Sequence, residues 1–260
     1  MDELAPNEVI EANRNLKSVL EAVRSTSEQR PITFPATELK ATAEIRSLPK
    51  NKKVIHFIRH GVGSHNEWAR NWAESGREGN AYSHPECPID AKLTEKGIEQ
   101  AKSLSPKLAE FYLNTANDTN LVFVSPMRRA IETALNATRG TNVRYVSNED
   151  LHEKGGLHKC DKRLSKCELA QQYPQVDFSG IVSSDDPFWG DGTVRESSPD
   201  VLKRAYRFMH FVKTLEERQL TVVSHSSLLL HLFNGVLECQ EKRLKRWFHT
   251  GELRSVVVAF

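Results

Sequence analysis

Six polar residues of this chain stand at or just beyond the ends of four apolar runs. Arg59 and His60 follow Val54-Ile55-His56-Phe57-Ile58, and Gly61 comes directly after. Arg128 and Arg129 follow Leu121-Val122-Phe123-Val124 across Ser125-Pro126. Glu153 lies just beyond Val143-Arg144-Tyr145-Val146, and His225 follows Leu220-Thr221-Val222-Val223 and Ser224. A guanidinium presents a planar fork of donors that fits phosphate or carboxylate, and an imidazole offers a nitrogen that is neutral near pH 7 and can attack. Two imidazoles and two guanidinium groups around one point would form a cup for a multiply charged anion, most simply a phosphoryl group. The arginines would also stabilise the charge that spreads during its transfer. Positive charge nearby lowers a histidine's pKa and keeps its attacking nitrogen unprotonated. A carboxyl group at the rim, Glu153, could donate a proton to the departing oxygen and later take one from water.

Other chemistries fit the sequence less well. No GxxxxGK[ST] stretch occurs to cradle a nucleotide, and no GxSxG places a serine nucleophile. His60 and His225 lack HExxH or HxH spacing for zinc. No metal or other cofactor is called for, because the arginines bring the positive charge a cation would supply.

Such residues need strands to deliver them. Each run is short, apolar or β-branched, and closed by a turn, as expected of parallel strands covered on both faces, whose ligands bind beyond their carboxyl ends. Between the runs, apolar residues recur at helical spacing. One helix is predicted from about Asn66 to Ala73. Another, capped by Thr94, carries Ile98, Ala101, Leu104, Leu108 and Phe111, with Pro106 expected to bend or split it. Two more span about Pro199 to Glu217 and Leu228 to Leu237, before a final strand at Val256-Val257-Val258. The pattern predicts an α/β fold, a three-layer sandwich with a mostly parallel central sheet flanked by helices. Residues 1–50 read as an N-terminal helical extension, with an amphipathic helix over 6–24. Residues 51–260 read as one domain, with an insertion of loops and short helices at about 154–195 beside the cleft. The basic cluster Lys159, Lys162, Arg163 and Lys166 is expected on a solvated face, as is the Arg128 side chain at its helix start. His56, inside a strand, is expected to be a packed or paired core histidine.

The chain has 260 residues and a net charge of +2, which leaves no electrostatic footprint for nucleic acid or a membrane surface. Its four cysteines form no CxxC pair, and the start Met1-Asp2-Glu3-Leu4 lacks the basic and apolar segments of a signal peptide. The expectation is a cytoplasmic protein, with the nucleus left open, acting on a small-molecule phosphomonoester.

The motifs also carry a resemblance. Arg59-His60-Gly61 with Asn66, Asp90-x-x-Leu93-Thr94-x-x-Gly97, Ser125-Pro126-x-x-Arg129-Ala130-x-x-Thr133-Ala134, Leu151-x-Glu153 and Ser224-His225-Ser226 occur in the order found in the histidine phosphatase superfamily, the phosphoglycerate mutase-like proteins. The chain resembles that family from about Lys53 to Phe260. Cys160-Asp161-Lys162-Arg163 with Ser165 and Glu168, and Gly251-Glu252-Leu253-Arg254-Ser255, resemble its plant and fungal branch. The resemblance implies a phosphoglycerate mutase-like fold. It also implies that His60 is the phosphorylated nucleophile, that Glu153 is the general acid, and that Arg59, Arg129, His225 and Asn66 contact the phosphoryl group. Where the cofactor-dependent mutases carry Glu-Ser after the triplet, this chain has Val62-Gly63, and their ERxYGxLxG block is absent between Glu153 and Asp191. The expected activity is therefore hydrolysis of a phosphomonoester without a metal. A phosphoglycerate mutase is the alternative, and a non-catalytic phospho-ligand or protein-binding module ranks below both.

Overall fold

The computed structural model describes residues 33–113 and 120–260. The expected helix over 6–24 lies outside the described residues. Eight strands form one sheet: β1 (Phe34–Glu38), β2 (Lys52–Arg59), β3 (Asn120–Val124), β4 (Val143–Ser147), β5 (Val176–Asp177), β6 (Gln219–Ser224), β7 (Leu237–Cys239) and β8 (Leu253–Ala259). Their order is β5-β4-β3-β6-β2-β8-β1-β7, and β8 alone among them runs antiparallel to its neighbours.

The strand β2 is buried along nearly its whole length, and its alternate side chains enter different layers. Ile55 and Phe57 join Phe123, Phe208, Phe233 and Val256 on one face. Val54 and Ile58 join Leu108, Phe111, Val122, Val124 and Ile131 on the other. Each face is covered by helices. Helices α6 (Ser198–Thr214) and α7 (Ser226–His231) supply Phe208, Met209, Leu228 and Leu229 to the first core. Helices α3 (Ser105–Leu113) and α4 (Arg128–Ala137) supply Leu108, Phe111, Ile131 and Ala134 to the second. With both faces of the sheet covered, ligands can reach it only beyond its strand ends, which is where the candidate residues stand.

Most elements match expectation. Helix α1 spans Ser64–Glu74, and the segment begun by Thr94 splits into α2 (Glu95–Ser103) and α3, whose second residue is Pro106. At that position the missing N–H costs nothing, because it would have no partner inside the new helix. Three strands went unread. The extension expected over 1–50 contributes β1 to the sheet between β8 and β7. The helix expected to reach Leu237 ends as α7 at His231, passes through one π-helical turn at Leu232–Val236 and becomes β7. The 154–195 region holds α5 (Lys166–Gln172) and the two-residue edge strand β5 among irregular segments. His56 sits where expected: its Nδ1 lies 2.8 Å from Ser255 Oγ and its ring stacks on Phe111 at 4.2 Å. Burial, with Lys107 nearby, lowers its pKa to about 3.

Candidate active site

Register brings the functional strand ends level. Arg59 pairs with Ser224 across β2 and β6, and Val124 with Val223 across β3 and β6, so His60, Ser125 and His225 emerge side by side. The rings of His60 and His225 lie 5.0 Å apart. His225 Nε2 lies 2.8 Å from Ser125 Oγ, which is the reason for a serine at the end of β3.

His60 is fixed by the turn that follows it. Its Nδ1 lies 2.7 Å from the Gly61 carbonyl, an oxygen that can only accept, so Nδ1 carries the proton and Nε2 keeps its lone pair. Gly61 N–H in turn donates to Thr133 Oγ1 at 3.0 Å, which ties the turn to α4. The two glycines of the motifs face each other. A Cβ on Gly61 would meet the Gly97 carbonyl oxygen at 2.4 Å, and one on Gly97 would meet the Val62 carbonyl oxygen at 2.1 Å. Thr94 holds that contact: its N–H and Oγ1 both reach Val62 O, and its Oγ1 caps α2 through Gly97 N–H.

Arg129 is the partner of His60 Nε2. Its Nε lies 3.3 Å away, while its Nη1 donates to the Cys160 carbonyl at 2.7 Å and its Nη2 to Asp161 Oδ1 at 2.8 Å. Both groups that hold the guanidinium come from the insertion, so the 154–195 segment is part of the site's frame. Arg59 donates to the Phe248 carbonyl at 2.7 Å, and Gly251 N–H returns to the Arg59 and His60 carbonyls, each at 3.1 Å. Gly251 adopts φ +71°, a backbone conformation that favours glycine.

Burial of His60 holds its pKa well below the ordinary range, and the charges of Arg129 and then Arg59 push it further down. His225 is lowered by the same sequence of causes, burial first and Arg129 next. Both imidazoles are therefore kept neutral. The sequence reading names the charge; burial is the larger cause.

Glu153 is brought to the start of α7. Its Oε2 accepts from Ser226 Oγ and Ser227 N–H, both at 3.2 Å, and its Oε1 accepts from Lys154 N–H at 2.9 Å and Leu228 N–H at 3.3 Å. Its backbone carbonyl accepts from Arg204 and from His152 Nδ1. His152 is pinned on its other side by Asp186, Nε2 to Oδ2 being 3.1 Å. Asn66 acts as a helix cap, its Oδ1 accepting from Gly63 N–H at 2.9 Å at the start of α1.

Two expectations need correction. Arg128 is a strut: its Nε donates to the Asp90 carbonyl at 2.7 Å and its Nη2 to the Ile89 carbonyl at 2.9 Å, while Asp90 Oδ1 accepts the Arg128 N–H. Arg163 is buried, paired through both side-chain ends with Glu149, and donates to the Ser183, Ser184 and Asp185 carbonyls. Charge runs mark solvated faces only where no carbonyl-rich loop folds over them. The sequence reading also missed Asp161, which anchors Arg129, and His65, whose ring lies 5.6 Å from that of His60. The signal for Asp161 was its place in Cys160-Asp161-Lys162-Arg163. Nothing in spacing alone marks His65.

Among the described residues no group of His, Cys, Asp or Glu is arranged to hold a metal ion, and no helix is long and apolar enough to cross a membrane.

The chain is 28% identical over 238 residues to Phosphoglycerate mutase-like protein 1 of Arabidopsis thaliana, covering 79% of this chain and 81% of that protein. It is 26% identical over 204 residues to Phosphomutase-like protein 3 of Candida albicans, covering 74% of this chain and 62% of that one. The solved structure of Mycobacterial hydrolase 2 shares the fold with a TM-score of 0.50 at 18% identity, covering 80% of this chain and 83% of that one. The family model of the histidine phosphatase superfamily, branch 1, matches residues 55–259, a span that takes in every residue of the cluster just described, and the chain belongs to that superfamily.

Proposed function

We propose that the protein is a phosphoric monoester hydrolase that works through a phosphohistidine at His60 and draws no catalytic charge from a metal. The observation that carries this reading is the fixed tautomer of His60: Nδ1–H is committed to the Gly61 carbonyl, and the unprotonated Nε2 accepts from Arg129 Nε at 3.3 Å. An unprotonated nitrogen beside guanidinium groups is what attack on an anionic phosphorus requires.

In the first step Nε2 attacks phosphorus and the bond to the ester oxygen breaks. Glu153, in its protonated form, gives the departing oxygen its proton. Arg59 and Arg129, with His225, hold the equatorial oxygens, and Asn66 adds a contact through its amide. In the second step Glu153 takes a proton from water, the resulting hydroxide attacks the phosphoryl group, and the bond to Nε2 breaks to release inorganic phosphate. Asp161 and the Cys160 carbonyl occupy both terminal nitrogens of Arg129, so the guanidinium meets the substrate already oriented.

The names of the Arabidopsis and Candida relatives support a second reading, transfer of phosphate between positions of one substrate. Val62 and Gly63 in place of the mutases' Glu-Ser favour hydrolysis. The test is phosphate release from an aryl phosphate with EDTA present, run beside an assay for conversion of 3-phosphoglycerate to 2-phosphoglycerate with the bisphosphate supplied. Phosphate release that His60→Ala abolishes supports the hydrolase. Isomerisation without net release would replace that reading with the mutase.

A further inference from the structure

His65 is a buried histidine for which the fold provides no hydrogen bond. It is 6% exposed, its Nδ1 is enclosed without a partner, and among the described residues its only contacts of note are between rings, to His60 at 5.6 Å and to Tyr82 at 6.2 Å. Buried polar atoms are nearly always paired, and leaving one unpaired costs on the order of 1–3 kcal/mol. The other buried histidines around it each have at least one partner: His60 has Gly61, His152 has Glu153 and Asp186, and His225 has Ser125 on one nitrogen.

Its position is imposed by the backbone. His65 is the second residue of α1, and Gly63 just before that helix lies against the imidazole. A Cβ on Gly63 would fall 2.6 Å from His65 Nδ1 and 2.7 Å from Cε1, so this ring can occupy its place only because residue 63 has no side chain. Burial and the charge of Arg129, followed by His60 and Arg59, hold the His65 pKa well below the ordinary range. The imidazole is thus neutral, with one N–H to give and no carbonyl or carboxylate to receive it. His225 repeats the pattern on the other side of His60, its Nδ1 also enclosed without a partner. Two imidazoles, each with an enclosed and unpaired Nδ1, thus lie beside the ring of His60.

We propose that His65 donates a ring N–H to an oxygen of the phosphoryl group held at His60, and so is a further anion-binding residue of this site. The inference rests on the proposed reading for where the phosphoryl group sits, but anion binding can be read without turnover. A neutral donor to a charged oxygen is worth roughly a 10- to 100-fold change in affinity. Val62-Gly63 then acquires a positive meaning: Gly63 makes room for a phosphate ligand.

The experiment is calorimetric titration of the full chain with orthovanadate and with inorganic phosphate. The wild type is compared with His65→Phe, His65→Asn, His65→Gln and Gly63→Ala. The asparagine and glutamine amides place an N–H near one or the other ring nitrogen. The expected result is about 10- to 100-fold weaker vanadate binding in His65→Phe, with at least one amide variant recovering most of it. Gly63→Ala, which keeps the imidazole but displaces it, should weaken binding in the same direction and carries the test if His65→Phe does not fold. Affinities in His65→Phe and Gly63→Ala within about twofold of wild type would overturn the proposal, as would a loss that neither amide restores, which would mark a purely steric role. Wild-type anion binding that depends on His65 without any phosphate release would sink the hydrolase reading and leave this one standing. Normal hydrolysis with unaltered anion binding in the variants would do the reverse.

Discussion

Arg129 Nη2 donates to Asp161 Oδ1 at 2.8 Å, and through that bond the insertion at 154–195 controls the guanidinium whose Nε faces His60 Nε2. Both side chains are almost fully buried, 1% and 6% exposed. Asp161 also meets Arg195 at 3.5 Å and His158 at 3.6 Å, so one carboxylate orders three groups on the insertion side of the cleft. Burying a charge pair stabilises a fold little by itself, but removing one partner leaves the other uncompensated.

Asp161→Asn should therefore lower kcat/KM for an aryl phosphate by about 10- to 100-fold, because the asparagine keeps one contact but no longer fixes the guanidinium by charge. Steady-state kinetics check this. The melting temperature should move much less than in Asp161→Ala, which leaves Arg129 Nη2 without a receiver.

Glu153→Gln separates proton transfer from positioning. The amide oxygen can still accept at the start of α7, but no proton is available for the leaving group. Loss of a general acid costs about 10²- to 10⁴-fold. With an alkyl phosphate kcat should fall within that range; with an aryl phosphate, whose leaving oxygen needs little protonation, the fall should be much smaller. A steeper dependence of rate on leaving-group pKa is the signature to measure.

Gly97→Ala should destabilise the fold strongly, since its Cβ would stand 2.1 Å from the Val62 carbonyl oxygen and both neighbours are backbone. Overpacking costs about 1–3 kcal/mol where side chains can yield, and here none can, so the upper end or more is expected. Urea unfolding measures it. Gly140→Ala, whose Cβ meets nothing within 4 Å but whose φ is +81°, should show only the smaller cost of the backbone strain.

Acid should unfold the protein through its buried neutral histidines. His56 is lowered to about 3 and His231 to about 4, each from an ordinary 6.5. In the unfolded chain these side chains take up protons below about 6.5, and in the folded protein they do not. Their stabilising contribution is thus present above 6.5 and declines as pH falls toward 4 and 3. His152 opposes them: Asp186 raises its pKa, so its contribution is present below 6.5 and is lost as pH rises through the raised value. Asp186 itself is lowered to about 2 from 3.8, a contribution kept above 3.8 and lost as pH falls toward 2. Lowered histidines outnumber the raised one. Urea unfolding should show stability falling from pH 7 to pH 5, and His56→Phe should flatten that slope.

The frame of the candidate site was legible in the sequence because the strands β2, β3 and β6 are continuous apolar runs with polar residues at or just after their ends. Arg59, His60, the pair Arg128 and Arg129, Glu153 and His225 stand out at or just beyond the ends of the four runs. The choice of Arg129 over Arg128 came from the resemblance, and the sheet register brings the ends of β2, β3 and β6 level. The short strands were not legible. β5 has two residues and β7 three, and β1 contains Pro35; each pairs because neighbouring strands offer free edges, a tertiary effect that no local pattern announces. Arg128, Arg163 and Asp161 were misread or missed for a related reason. Their partners are backbone carbonyls or distant side chains, reached only after the insertion folds over the strand ends.

The proposed phosphohistidine at His60 would be caught by trapping the protein during turnover of a ³²P-labelled aryl phosphate, quenching in base and mapping the label. The account predicts an acid-labile, base-stable phosphohistidine on Nε2 of His60 that is absent in His60→Ala and accumulates in Glu153→Gln when the aryl ester is used. Turnover without a phosphoenzyme, or label on any residue other than His60, would contradict it.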